Sequence, residues 1–478
     1  MEVFTEMQVE EIVRIVVEQV RSRLLADEGG PAAIAPSHST GIFDEIEEAV
    51  AAASEAQAAL LRLGLEKRGE IIQAMRNAAV ANAEVFARMA VEETGMGRFQ
   101  DKVTKNLVAA LKTPGIEDIR PEVMSGDHGL TLEERQPFGV IASITPSTNP
   151  SETVVNNGIG MIAAGNSVVI SPHPGAKGVT LKAVEVLNQA IQEAGGPPNL
   201  LVSVREPTIQ KTQDLIKHPK ISLVVATGGP GVVQAVLCSG KKAIGAGAGN
   251  PPAIVDDTAD ICKAARDIVA GNSFDNGINC IGEKEVLVVE TVADQLIEEM
   301  QKCGAYLLRN KEEIERLVRL VTTQEGQINK AFVGKDATSI LKEIGISAPK
   351  DTKSIIFEVQ ADHVTVMEEF LMPILPIVRV KDINEAIELA VCIEGGRHHT
   401  AVIHSKNVDN MTRFALAIKT TIFVKNGPSF NGVGIGGEGY TTMTIAGPTG
   451  EGLTSARNFT RVQRCVLVEG FNLRGKAQ

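Results

Sequence analysis

Two successive series of short apolar runs, each separated from the next by a helical pattern, constrain this chain more than any other feature. The first series is Gly139–Thr145, Ser167–Ser171, Leu200–Val204, Ser222–Ala226 and Ala253–Val255, with helical periodicity around 152–163, 177–194, 207–217 and 231–239 between the runs. The second opens after residue 280. It has strand patterns at Glu285–Val289, Ile355–Phe357, Ile377–Val380, Thr400–His404 and Thr421–Val424, and helical ones at 291–303, 311–320 and 383–391. Strands covered on both faces read as continuous apolar runs, and their alternation with helices demands βαβ units around a mostly parallel sheet. The expectation is two α/β domains, preceded by helical periodicity from Gly41 to about Asn106.

A chain of 478 residues fits this division, because a single core of ordinary size does not extend that far. With 47 basic against 59 acidic side chains, the net charge of −12 disfavours nonspecific attraction to nucleic acid or to a membrane surface, so neither is expected as a partner. Any anion site must be local. No apolar run approaches the length of a membrane span. The six cysteines (238, 262, 280, 303, 392 and 465) contain no Cys-x-x-Cys pair, which argues against a zinc site or a disulfide framework and fits a reducing, cytoplasmic compartment.

Both ends of the chain stand apart. Val9, Ile12, Val13, Val16, Val20 and Leu24 form one apolar stripe on an amphipathic helix over residues 1–25, followed by a Gly/Pro/Ala/Ser linker over 26–41. The helix either docks on its own domain or serves as an intermolecular docking peptide, and the long linker favours the second. Strands at Leu130–Arg135 and Arg464–Val468 lie outside both series and are expected to pair with each other or with another subunit.

Several segments carry residue types suited to chemistry. Cys280 follows Asn272–Asn279, a run of small and polar residues suited to a tight strand-entry turn whose backbone N–H groups stay free for a reacting oxygen. A buried, inert thiol is the alternative. Thr227-Gly228-Gly229-Pro230-Gly231 turns from a strand into a helix, where glycines let the backbone approach a phosphate, although the Gly-x-Gly-x-x-Gly fingerprint is missing. Ser171-Pro172-His173 ends a strand at the carboxyl edge, where open α/β sheets bind ligands. Glu368-Glu369 is either a solvated helix end or a carboxylate for ligand hydroxyls, and only one of His398 and His399 can face a site from an extended segment. Gly245–Gly249 is glycine-rich and has no ionisable side chain. No residue set has metal-ligand spacing.

Taken together, Pro137-Phe138-Gly139-Val140, Thr145-Pro146-Ser147-Thr148-Asn149-Pro150, Gly165–Val169, Ser171–Pro174, the Cys280 segment, Glu368-Glu369-Phe370, His399-Thr400 and Pro448–Arg457 resemble the aldehyde dehydrogenase superfamily. The likeness is strongest to its CoA-acylating branch of propanediol- and ethanolamine-utilising microcompartments. It implies a Rossmann-type cofactor domain (42–252, with oligomerisation strands at 119–136), an α/β catalytic domain (253–445) and a C-terminal return with an oligomerisation strand (446–478). It also implies NAD-dependent, reversible oxidation of propionaldehyde or acetaldehyde to its acyl-CoA, with Cys280 as nucleophile, a thioester intermediate and CoA as co-substrate. Asn149 or Thr148 would supply the side-chain oxyanion donor, and His399 proton handling or CoA positioning. Ser171, Pro172, His173, Thr227, Gly228, Gly229, Gly231 and Glu369 would hold the cofactor.

The departures from the family pattern matter as much. Gapless placement puts Ala246 where hydrolytic relatives carry a glutamate general base, a loss worth about 10²- to 10⁴-fold in rate for water attack. Ser171 stands where a ribose-contacting lysine is common. A free cysteine titrates near pH 8.5, so local N–H groups or a helix terminus are expected to lower Cys280. The chain is expected to form a homodimer or homotetramer and to lie inside a bacterial microcompartment, docked through residues 1–25 on shell or cargo proteins. It is not expected to carry the alcohol-forming module of fused aldehyde–alcohol dehydrogenases. The alternatives are a hydrolytic aldehyde dehydrogenase and a noncatalytic cargo adaptor.

Overall fold

A computed structural model describes residues 40–324, 326–471 and 473. The amphipathic helix and nearly all of the linker read from the sequence lie outside the described residues.

Two parallel sheets carry the molecule. The first has six strands in the order Ile42–Phe43, Leu201–Val204, Ser167–Ser171, Val140–Ile144, Ile221–Thr227 and Lys242–Ala246, all parallel. Its three central strands are apolar and buried, flanked on one face by Pro150–Ala163, Lys177–Glu193 and Leu65–Ala81, whose side chains share one core with Ile141, Val168 and Val225. Ile46, Val50 and Ala53 of Ile46–Leu60 cover the other face against Ala142, Val169 and Val224. The strand order reverses at Val140–Ile144, which has the earlier-wound strands on one side and Ile221–Thr227 on the other. A reversal of this kind opens a crevice at the carboxyl edge.

The second sheet has seven parallel strands: Ala305–Leu308, Ser354–Glu358, Ile374–Val380, Glu285–Val289, Pro252–Val255, Thr400–His404 and Ile422–Lys425. The two α/β series expected from the sequence are present with one correction: Ala253–Val255, expected as the last strand of the first series, lies in the second sheet between Glu285–Val289 and Thr400–His404, because an apolar run does not show which sheet it joins. Three strands escaped the reading. Lys242–Ala246 was hidden by its glycines, Ala305–Leu308 by its brevity, and Ile42–Phe43 is a two-residue edge inside helical periodicity.

A third sheet stands off from both. Thr460–Val468 pairs antiparallel with Gly129–Pro137, which pairs with Glu122–Gly126, so the two strands expected outside the main series do meet. Val123, Met124, Val462, Val466 and Val468 on this sheet are all exposed.

Candidate active site

The carboxyl edge of the first sheet meets the amino edge of the second. Four loops of the second sheet converge here, each just ahead of a strand: 247–251 before Pro252–Val255, 274–284 before Glu285–Val289, 368–373 before Ile374–Val380, and 394–399 before Thr400–His404. Gly249 ties three of them together. A Cβ at this position would lie 2.7 Å from the Cys280 carbonyl oxygen and 2.9 Å from the His399 ring, and its N–H donates to Glu369 Oε1 at 3.2 Å. Only a residue without a side chain lets these groups approach so closely.

The turn leading to Cys280 is strained and clamped. Asp275 and Asn276 both have left-handed backbones (φ 52° and 55°), a conformation that Asp and Asn tolerate better than other side-chain-bearing residues. Asp275 is buried, accepts from the Arg98 N–H at 2.7 Å, and pairs with Lys102 at 3.2 Å and with Lys105. Both lysines come from the helix Phe99–Lys112. Lys102 also donates to the Thr148 carbonyl at 3.3 Å, and Lys105 to Asn149 Oδ1 at 2.5 Å and Asn279 Oδ1 at 3.5 Å. The loop carrying Thr148 and Asn149 is therefore fastened to the residue that precedes Cys280.

Cys280 is partly exposed, with its own backbone N–H within hydrogen-bond reach of the sulfur. Burial pushes its thiol up to about 12, the Glu369 carboxylate adds to this, and Lys284 and Lys105 act against it. The sequence-based expectation of a lowered thiol is corrected. Desolvation outweighs the nearby N–H and cations in the resting pocket, although the remaining solvent opening screens part of the rise. Burial likewise raises Glu369 to about 7 and pushes the His399 imidazole down to about 4, with Lys284 adding to the latter. His399 is thus neutral near pH 7. Its backbone N–H donates to Glu394 Oε1 at 2.9 Å, while ring Nδ1 lies 2.9 Å from Thr400 Oγ1.

Cys280, Thr148, Asn149, Glu369 and His399 thus belong to one cluster. The remaining candidates line the carboxyl edge of the first sheet. Gly228, Gly229 and Gly231 have nothing within 4 Å of a notional Cβ, and Thr227 Oγ1 lies 2.9 Å from Thr444 Oγ1. Ser171 Oγ is 2.9 Å from Thr212 Oγ1, Pro172 is buried, and exposed His173 accepts from the Gly175 N–H at 3.1 Å. Sequence reasoning missed Lys102, Lys105 and Lys284. The first two read as polar positions of a surface helix, and nothing in their spacing marks them as buried. Lys284 donates to the Gly277 and Asn279 carbonyls at 2.7 and 3.1 Å, bracing the cysteine loop from within.

The aldehyde dehydrogenase family model matches residues 37–463. The chain belongs to the aldehyde dehydrogenase family. It is 47% identical to the acetaldehyde dehydrogenase (acetylating) EutE of Salmonella typhimurium, over 98% of this chain and 99% of that one. It is 48% identical to a propanal dehydrogenase (CoA-propanoylating) of Citrobacter freundii, over 96% and 99%. Among solved structures, the Rhodopseudomonas palustris propionaldehyde dehydrogenase with bound CoA and an acylated cysteine superposes with a TM-score of 0.90 at 51% identity, covering 91% of this chain and 100% of that one. Within the family fold, the cysteine loop of this chain faces the crevice where the two sheets meet. Among the described residues, no group of three or more His, Cys, Asp or Glu side chains could hold a metal ion, and no helix is long and apolar enough to cross a membrane.

Proposed function

We propose that this member of the family is an NAD-linked, CoA-acylating dehydrogenase of short aldehydes, with Cys280 as nucleophile. The observation that carries the reading is what meets at the cysteine loop: the Cys280 N–H beside its own sulfur, Lys105 joining Asn149 to Asn279 next to Cys280, and a glycine segment at Gly249 that offers no carboxylate. Cys280 Sγ bonds to the aldehyde carbon, and the oxygen takes the negative charge and is held by the Cys280 N–H and the Asn149 or Thr148 side chain. Loss of hydride leaves a thioester on Cys280. The thiol of CoA then attacks that carbonyl, and the Cys280 sulfur leaves as acyl-CoA forms.

The residues present fit a dinucleotide. Glycines 229 and 231 leave room for a pyrophosphate to approach the backbone at the start of Pro230–Leu237, while the Gly228 N–H is held by the Ala246 carbonyl at 3.1 Å, and Glu369 offers a carboxylate for ribose hydroxyls. When bound, the nicotinamide supplies the hydride acceptor. Because the resting thiol is protonated, reaction requires a proton acceptor. Glu369, poised near 7, acts directly on the thiol and is the first candidate, and neutral His399 packs against Gly249 across from the Cys280 carbonyl. Ala246, buried at the end of its strand, cannot activate water, so the thioester waits for a thiol.

Support from similarity is consistent: the relatives are named for acetylation and propanoylation, and an engineered glycolyl-CoA reductase at 51% identity, TM-score 0.91, holds NADP+. Residues 119–136 and 446–478 contribute the exposed three-stranded sheet, whose apolar side chains suit contact with a second copy of the chain. A similar propionaldehyde dehydrogenase comes from a Clostridium phytofermentans microcompartment, and residues 1–25 are the proposed docking helix for such a shell or its cargo. Deleting them should leave turnover intact and abolish co-localisation with shells.

The deciding assay is NADH formation from propionaldehyde with and without CoA, for the wild type and Cys280→Ala. Turnover that requires both CoA and Cys280 supports the reading. CoA-independent turnover would make the chain a hydrolytic enzyme, and no turnover at all a cargo adaptor.

A further inference from the structure

Lysines are almost never fully buried unless paired, yet helix Phe99–Lys112 buries two of them one turn apart on one face. Lys102 is accounted for by Asp275 and the Thr148 carbonyl. Lys105 does more than neutralise. Its ammonium contacts Asp275 and lies 3.6 Å from Glu152, but it also reaches Asn149 Oδ1 at 2.5 Å and Asn279 Oδ1 at 3.5 Å.

An ammonium has only donors, so the Asn149 amide has a single compatible orientation: oxygen toward Lys105 and Nδ2 away from it. In that orientation Nδ2, on the side of the amide remote from the cation, donates one hydrogen to Thr148 Oγ1 at 3.3 Å and keeps the second for another acceptor. A cation bonded to the amide oxygen also polarises the group and strengthens its N–H as a donor. Asn149 starts the helix Pro150–Ala163, which limits backbone movement that could undo the arrangement.

We propose that Lys105 is a positioning residue that fixes the Asn149 amide with Nδ2 presented to the oxyanion formed at Cys280, and strengthens the hydrogen bond this amide donates. The proposal rests on the reading of Asn149 as the side-chain donor, and it selects Asn149 over Thr148 for that role.

The test is a double-mutant cycle on the pre-steady-state burst of NADH from propionaldehyde without CoA. Asn149→Ala is expected to slow the burst about 10²- to 10³-fold, as loss of one oxyanion donor does. Lys105→Met is expected to slow it about 10²-fold with the KM for NAD unchanged, and the combined variant to be no slower than Asn149→Ala alone. Lys105→Arg keeps the charge for Asp275 and Glu152 but replaces a point donor with a broad fork. It is expected to keep a wild-type melting temperature and still lose the burst tenfold or more, which covers the case in which the methionine variant does not fold. Multiplying losses, or wild-type bursts from folded Lys105 variants while Asn149→Ala is slow, would overturn the Lys105 proposal and leave the donor reading standing. A wild-type burst from Asn149→Ala would overturn both.

Discussion

Two strand-to-helix turns lie side by side at the carboxyl edge of the first sheet, and they are built in opposite ways. Val140–Ile144 and Ile221–Thr227 are register neighbours, with Ile144 opposite Ala226. The turn after the first, residues 145–150, is gripped by Lys102 and Lys105, and these same lysines grip Asp275 in the cysteine loop. The turn after the second, residues 228–231, is open on its side-chain side: a Cβ at any of its three glycines would meet nothing within 4 Å, and only the Gly228 N–H is tied back, to the Ala246 carbonyl. Chemistry at a single carbon needs donors held to within a fraction of an ångström, whereas a pyrophosphate needs free N–H groups and room. Under the proposed function one edge supplies both, because adjacent strands end in turns with different neighbours.

The most damaging way to break the contrast is Asp275→Ala. It leaves buried Lys102 without its ion-pair partner and Lys105 with Glu152 at 3.6 Å as the remaining one, and removing one partner of a buried ion pair costs about 3–5 kcal/mol. Urea denaturation should show a loss of this size. A loss below about 1 kcal/mol would mean that the gripped turn is held by something else.

A matched pair of glycine substitutions sharpens the contrast. Gly249→Ala places its Cβ 2.7 Å from the Cys280 carbonyl oxygen and against His399, an overpacking worth about 1–3 kcal/mol together with a large drop in kcat. Gly229→Ala meets nothing within 4 Å and has an ordinary φ of −65°, so its stability should stay within about 0.5 kcal/mol while the Kd for NAD rises several-fold. Equal effects on stability from the two would erase the distinction between a gripped and an open segment.

Glu369 accepts from the Gly249 N–H beside the cysteine loop, and its titration gives a smaller effect. Its folded value, about 7, lies above the ordinary carboxyl value because burial disfavours the charge. The raised value means that stability falls as pH rises from the ordinary carboxyl value, about 4.3, to about 7, where the folded protein must release a proton it holds tightly. Cofactor binding runs the other way, since the carboxylate is the better acceptor for hydroxyls. The affinity for NAD should weaken as pH falls below about 7, and Glu369→Gln should remove that dependence in isothermal titration. A pH-dependent Glu369→Gln protein would place the titrating group elsewhere.

How much of this was legible in the sequence follows from what each part depends on. The two sheets were readable because buried parallel strands write themselves as apolar runs, and Cys280, Thr148-Asn149, Glu369 and His399 could be named as candidates, which the fold gathers around Gly249 and Lys105, because family motifs mark them. Lys102 and Lys105 were not, because a lysine on a helix looks the same whether it faces water or a buried aspartate, and the Asp275 that decides between these lies 170 or more residues away. The thiol was misjudged for a related reason. Local N–H groups are visible in a loop sequence, whereas the desolvation that outweighs them comes from four loops meeting at once.

Ser171 gives the smallest and most discriminating test of how far the open edge extends. It ends the strand next to Val140–Ile144, and the family resemblance led to the expectation that it contacts cofactor. In the fold it is buried and its hydroxyl lies 2.9 Å from Thr212 Oγ1, so the group that would meet a ribose already has a partner on the helix Ile209–Lys217. If that bond is the hydroxyl's main role, Ser171→Ala costs about 0.5–1.5 kcal/mol of stability and changes the Kd for NAD by less than about twofold. If the hydroxyl instead turns toward a bound dinucleotide, the order inverts, with little change in stability and a clear loss of affinity. Measuring both quantities on one variant therefore decides whether the ligand edge comprises two strand ends, at 145–150 and 228–231, or three.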